Sequence, residues 1–257
     1  MKLEFKRNKK KMALIFACFC AAPGLRAQAG TVIVEPNQLI RDAMKAQVFS
    51  ETGLVCNLDM ASVENGKETM SRYEVQSKSD NTLVTTVEPA VKRGQVFLRL
   101  KDSVWFYKPG MKKPIGVSAS QKMEGQSSNA DVAGIDYERD YATSVEGEEN
   151  YNGIKVWKLK LKAKGLGGAY DVIKALVSKD QHLLLRADYF AVSGELLKTA
   201  TLEYNNKANE GSDGRPIVSS MKIVSALNPA DFTMLTYSNL RQKQLSDEIF
   251  HRDSLVK

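Results

Sequence analysis

Histidine is nearly absent from this chain: His182 and His251 are the two in 257 residues. His182 reads as part of a strand between Gln181 and Leu183, and His251 follows Phe250 near the C-terminus. Neither has a Glu-x-x-His or Cys-x-x-Cys partner, which argues against a zinc centre. Cysteine is as scarce. Of Cys18, Cys20 and Cys56, the first two lie in the leading 29 residues, so a chain trimmed there keeps Cys56 alone and forms no internal disulfide. Its setting, Leu54-Val55-Cys56-Asn57-Leu58, reads as a strand, and a lone cysteine in a strand is more often buried than reactive. The longest apolar run, Met12 to Ala22, is about half of what a bilayer span needs. Gly-x-Ser-x-Gly is missing, so no nucleophile elbow is present. Gly165-Leu166-Gly167-Gly168 lacks the Lys-Ser/Thr of a phosphate loop and reads as a loop between strands.

What is present begins at the N-terminus. A basic stretch, the short apolar run and Ala27-Gln28-Ala29 form the three parts of a secretory signal, with cleavage predicted after Ala29. A rival, lipoprotein processing at Cys18 after Ile15-Phe16-Ala17, is disfavoured by Phe16 and by the shortness of the run before it. Loss of residues 1–29 removes seven bases and one acid and leaves 30 bases against 29 acids, a net charge of +1. The pI near 9.1 is then mostly a property of the leader, and nucleic-acid binding loses its main support. Residues 30–257 are read as one domain, with no Pro/Gly/Ser linker dividing them.

Along that domain the pattern has period two. Trp157, Leu159, Leu161 and Ala163 alternate with Lys158, Lys160, Lys162 and Lys164, which puts one face of a sheet in a core and the other in water, as antiparallel sheets allow. Asn65-Gly66, Asn152-Gly153 and Ser193-Gly194 mark tight hairpins. Strands are predicted at 54–63, 67–77, 81–88, 95–101, 103–108, 113–119, 139–146, 154–164, 171–178, 183–192, 195–204, 216–227 and 232–241, with about eleven of them expected to form. The acidic run Glu146-Gly147-Glu148-Glu149 reads as a solvated hairpin end. Helices are few: 38–50, introduced by Pro36 and stopped by Gly53, a broken stretch at 120–135 whose second half is one short helix, and a turn at 246–250. The fold class is mainly β with some α, a long antiparallel sheet that curls, with helices capping one mouth.

One block changes character abruptly. An aromatic strand, Trp105-Phe106-Tyr107, leads through Lys108-Pro109-Gly110-Met111-Lys112-Lys113-Pro114 into Ser118-Ala119-Ser120-Gln121-Lys122-Met123-Glu124-Gly125 and Ser128-Asn129-Ala130-Asp131-Val132-Ala133. Such an insertion makes a plausible flap. These motifs, with Leu185–Lys198, Asp231–Tyr237 and Leu245–Phe250, resemble the LolA-like outer-membrane lipoprotein-sorting proteins over nearly the whole trimmed chain. Ala119 stands where that family has glycine, and alanine does not easily take positive φ, so the turn entering the insertion is expected to differ.

The resemblance implies a curved, half-open antiparallel barrel with helices over its open side and a cavity that holds acyl chains. It implies a periplasmic carrier of lipoprotein or lipid, working between an inner-membrane exporter and an outer-membrane acceptor. Such a carrier needs no cofactor, metal or catalytic group, because burial gains about 0.8 kcal/mol per methylene. Strand parity nominates Leu58, Met60, Tyr73, Val75, Val96, Leu98, Trp105, Trp157, Leu159 and Leu161 as inward, and the helices add Leu39, Met44 and Met123. In LolA-like carriers a barrel arginine latches the lid. Arg72 and Arg99, each interrupting a strand-like run, are the candidates here, against the plainer reading of solvated surface arginines. The alternative function is an envelope sensor or accessory protein-binding module on the same fold, or a subunit serving a lipid exporter. An enzyme is not expected, since no convergent titratable pocket is readable.

Overall fold

A computed structural model describes residues 35–47, 53–165, 168–207 and 216–256. The predicted leader, Val48 and the centre of the glycine cluster lie outside them. Helix α1 spans Pro36–Lys45 with Pro36 in its first turn and buries Leu39, Ile40 and Ala43 along one side. It ends at Ala46, well before Gly53.

Strands β1 (Leu54–Glu64), β2 (Lys67–Lys78), β3 (Asn81–Glu88), β4 (Val96–Leu100), β5 (Ser103–Tyr107) and β6 (Ile115–Val117) form a first meander. An insertion follows. It contains the ribbon β7 (Lys122–Glu124) with β8 (Ser127–Ser128), then α2 (Asn129–Ala133) and α3 (Tyr137–Asp140). The second meander is β9 (Tyr141–Tyr151), β10 (Ile154–Ala163), β11 (Val172–Ser178), β12 (Leu184–Phe190) and β13 (Leu196–Glu203). A small ribbon, β14 (Asn206–Lys207) with β15 (Pro216–Ile217), precedes β16 (Ser220–Ser225) and β17 (Phe232–Gln242).

Thirteen of these strands make one sheet in the order β6-β5-β4-β3-β2-β1-β17-β16-β13-β12-β11-β10-β9. Every neighbouring pair is antiparallel. Each predicted strand stretch contributes to it. The sheet does not close: β6 and β9 are its free edges, and the insertion is the chain that passes from one edge to the other. Asn65-Gly66 and Asn152-Gly153 both hold positive φ at both residues, as type I′ turns require.

One face carries the main core. Leu58, Tyr73 and Val75 continue across the seam into Leu235 and Tyr237, then Ile223, Ala200, Ala187, Ala175 and Leu159. The helices pack on this side. The opposite face is wet over β9 to β13, where Lys158 pairs with Glu149 at 3.1 Å and Arg186 with Asp188 at 3.0 Å. The acidic run therefore lies inside β9 rather than at a hairpin end. Over β3 to β5 that outer face is covered by the C-terminal segment, whose Leu245, Phe250 and Leu255 pack on Val55, Leu98 and Tyr107. His182 sits in the β11–β12 turn at φ 53°, not in a strand.

Candidate functional site

The insertion is the expected flap, and it is not free. Glu124 accepts from Ser71 Oγ (2.8 Å), Tyr73 OH (2.8 Å) and Lys92 Nζ (3.4 Å). Lys122 pairs with Glu64 at the surface. Gln126 N donates to Thr233 Oγ1 at 2.7 Å, and Thr233 also bonds Ser62 Oγ at 3.0 Å. Gly125 permits this approach. At φ +54° it runs so close to the sheet that a β-carbon would lie 2.3 Å from both Ser62 Oγ and Thr233 Oγ1.

A second tie is charged. Asp131 is the third residue of α2 and completes a capping box with Ser128. Its side chain is fully buried, and that of Lys198 is only 9% exposed. Lys198 Nζ pairs with Asp131 and also donates to Gln126 O at 2.8 Å. Tyr170 OH donates to the other Asp131 oxygen at 2.9 Å. The ammonium lies over the Tyr170 and Tyr189 rings, 5.2 and 5.6 Å from their centroids. Burial, reinforced by the Asp131 charge, pushes the Tyr170 phenol well above its ordinary value, so it stays a neutral donor. Every buried charge here is paired and hydrogen-bonded, as a buried polar network must be to persist. The lid role predicted for 120–135 is corrected accordingly: the segment is a pinned strap. Its Asn129–Ala133 half is helical, while its first half is the β7–β8 ribbon and not helix. The entering turn also needs no left-handed residue at 119; Ala119 O accepts from Ala130 N at 2.9 Å.

Beneath strap and helices lies a cavity of about 40 Å³. Val75, Tyr137, Tyr189, Leu202, Met221 and Tyr237 are among its walls. One water occupies about 30 Å³ of liquid and ligand pockets run to about 300–1,000 Å³, so in this state the interior is filled by its own side chains.

Of the residues nominated from sequence, Leu39, Leu58, Met60, Tyr73, Val75, Leu159 and Leu161 lie buried in this core, and Met44, Met123 and Trp157 pack on it half-buried. Val75 alone among them also lines the cavity. Val96, Leu98 and Trp105 face the other way, into the cluster under the C-terminal segment. Parity failed there because β4 is apolar on both faces. Its inward residues are Phe97 and Arg99. Arg72 is an outer-face arginine paired with Asp59 at 2.7 Å. Arg99 is buried, and burial, with the nearby Arg139 charge, lowers its basicity. Its Nε bond to Lys101 O stays within the β4–β5 turn. Neither arginine is seen to hold the strap. Cys56 is buried, its thiol pushed up to about 12 by burial, and so unreactive. Asp131 and Lys198 were missed, although Ser128-x-x-Asp131 has capping-box spacing and Lys198 is a charge at an inward parity position beside Ala200 and Leu202. Among the described residues, no helix is long and apolar enough to cross a membrane.

A family model described as "Uncharacterized protein" matches residues 78–257. No functionally curated protein matches the chain. A LolA superfamily protein from Nitrosomonas europaea is 27% identical over 86% of this chain and 99% of its own, with a TM-score of 0.76. A DUF1329 family protein from Desulfovibrio piger is 24% identical over 86% and 100%, TM-score 0.72. A domain assigned to outer membrane lipoprotein sorting, from Vibrio parahaemolyticus, is 18% identical over 86% and 97%, TM-score 0.73.

Proposed function

This chain belongs to the LolA-like family, and we propose that it is a carrier that takes the acyl chains of a lipoprotein or lipid between helices and sheet and moves them across the periplasm toward the outer membrane. The observation that supports this most is the open sheet: one continuous apolar face, two free edges and helices packed over it. In this reading residues 1–29 are the export signal, residues 30–257 the carrier domain, and an inner-membrane exporter and an outer-membrane acceptor its partners.

Loading requires movement, because the cavity is too small for an acyl chain. Freeing the strap means breaking the buried Asp131–Lys198 pair, at about 3–5 kcal/mol, and the Glu124 and Thr233 bonds besides. Displacing α1 breaks fewer polar ties. It exposes chiefly Leu39 and Ile40, at about 1.5–3 kcal/mol each, and its polar ties are Arg41 to Glu138 at 2.9 Å between half-exposed side chains, Asp42 to His182 at 3.0 Å and one buried backbone bond, from Val218 N to Ala46 O at 2.9 Å. An acyl chain of about 16 carbons returns roughly 12 kcal/mol on burial. Helix α1 is therefore the gate and the strap the fixed wall. The inward residues named above, Leu39, Met44, Leu58, Met60, Tyr73, Val75, Met123, Trp157, Leu159 and Leu161, become the contact surface as α1 swings.

The test is native mass spectrometry of the chain purified from periplasm, with titration of a fluorescent acyl probe. A co-purifying lipid or acyl-peptide mass and saturable probe uptake are expected, together with an N-terminus at Gly30. A clean apo mass with no uptake overturns the carrier reading and leaves the protein-binding module.

A further inference from the structure

The Lys108–Pro114 motif is absorbed by neither core nor cavity. It forms the turn between β5 and β6, and it lies against the β3–β4 turn, residues 89–95: a β-carbon on Gly94 would sit 3.1 Å from Pro109 Cγ. The register explains the contact, since Val96 pairs with Tyr107 at the mouth of both turns. Together the turns carry Lys92, Arg93, Lys108, Lys112 and Lys113 and no acid. Arg93, Lys108, Lys112 and Lys113 are exposed, and only Lys92 reaches a carboxylate, Glu124 at 3.4 Å. At the tip of the first turn Val91 is 88% exposed.

The other turns at this end of the sheet expose apolar tips too. The β12–β13 turn presents Val192 and the β16–β17 turn Leu227, 87% and 85% exposed. Met70 and Leu197 stand exposed on strands beside them. Among the described residues, five of the eight exposed large apolar ones thus gather at one end, which single scattered surface residues do not do. Beside the Lys108–Pro114 turn an open groove of about 620 Å³ is lined by Lys112, Lys113 and Arg252 over Trp105, Ile115 and Val256, with Asp253 as its one acid.

We propose that this end of the sheet docks on the surface of a bilayer containing anionic phospholipid, the paired basic turns meeting the headgroups and Val91, Val192 and Leu227 entering the interfacial layer. The apolar tips stand on three different turns spaced along the sheet order, so they make no single contiguous protein-interface core. A fluid, deformable surface accommodates spaced tips at one end of the strands, and each base near it contributes about five-fold in affinity, about 1 kcal/mol. The carrier reading gives the contact a purpose, but binding itself does not depend on it.

The test is flotation of the mature chain with phosphatidylcholine vesicles, with and without phosphatidylglycerol. Binding is expected with phosphatidylglycerol and is expected to fall with salt. Lys112→Gln with Lys113→Gln lowers affinity about 25-fold at about five-fold per base, and Val91→Asp lowers it further. Lys158→Gln with Lys160→Gln, the same charge change on the outer face of β10, leaves it unchanged. Equal thermal unfolding of all variants checks folding. The inference is overturned if the native chain shows no phosphatidylglycerol preference, if the turn variant binds as well as the native chain, or if both pairs lose affinity alike. Crosslinking of these turns to an acidic protein, without vesicle binding, overturns it in favour of a protein surface. Probe uptake in vesicle-free solution, measured on the same samples, separates its failure from that of the carrier reading.

Discussion

The strap and helix α1 both cover the apolar face of the sheet, yet they are attached by opposite means. The strap is tied through buried polar atoms from four strands, Ser62, Ser71, Tyr73, Lys198 and Thr233, with Tyr170 from a loop and the half-exposed Lys92 besides. Helix α1 lies on its apolar stripe, with side-chain polar partners at its rim and a single buried backbone bond, Val218 N to Ala46 O, at its C-terminal end. A buried polar network is either fully formed or costly, so it holds one geometry. An apolar stripe tolerates sliding and release. The difference divides the cover of one cavity into a wall and a door.

The largest test of that division is Asp131→Ala. It leaves the Lys198 ammonium buried and unpaired, and urea unfolding should show a loss of about 3–5 kcal/mol. Asp131→Leu combined with Lys198→Met should recover most of it, since a well-packed apolar pair often replaces a buried ion pair at little cost. Next comes Gly125→Ala. The added carbon meets Ser62 and Thr233 at φ +54°, and overpacking with left-handed strain predicts a loss of about 2–4 kcal/mol. If Gly125→Ala is neutral, the strap is looser than described. The smallest effect belongs to α1. Burial pushes the Asp42 carboxyl up, but hydrogen bonds from Gln38, His182 and Lys45 outweigh it and hold the group below its ordinary 3.8. A depressed carboxylate stabilises above its unfolded value and loses that contribution as pH falls through its folded one, so the exchange protection of α1 amides, measured against the intrinsic rate at each pH, should fall below about pH 4. His182→Ala should cost under about 1 kcal/mol and speed acyl-probe uptake at pH 7. Slower uptake would move the gate elsewhere.

Most of the sheet was legible because period two is a local signal. The lysine-flanked run at Trp157 to Ala163 and the Asn65-Gly66 turn placed their strands within a residue or two, whereas β9 runs five residues past its predicted end at 146, through the acidic run. Legibility failed where a residue's role depends on something distant in sequence. Val96, Leu98 and Trp105 read as inward because nothing nearby in the chain announces that Phe250 and Leu255 return to cover the outer face. The strap read as a flap because its partners, Ser62, Lys198 and Thr233, lie in three separate strands. Glu124 gave no signal at all, being one acid in a polar stretch. The family resemblance supplied the architecture but pointed to arginines for a latch, and here a lysine and a glutamate stand in the corresponding task of holding cover to sheet.

The seam of the sheet is the pairing of β1 with β17. Ser62 and Thr233, joined across it, are separated by 171 residues. Contacts so distant in sequence are slow to form, and this one decides the order of assembly. A chain still lacking its last strand can fold hairpins in each meander, but it has no Thr233 to receive Gln126 and no β17 to join the two halves. The Gln126–Thr233 tie therefore forms only where β17 has joined β1, so this bond reports that the two halves of the sheet have met.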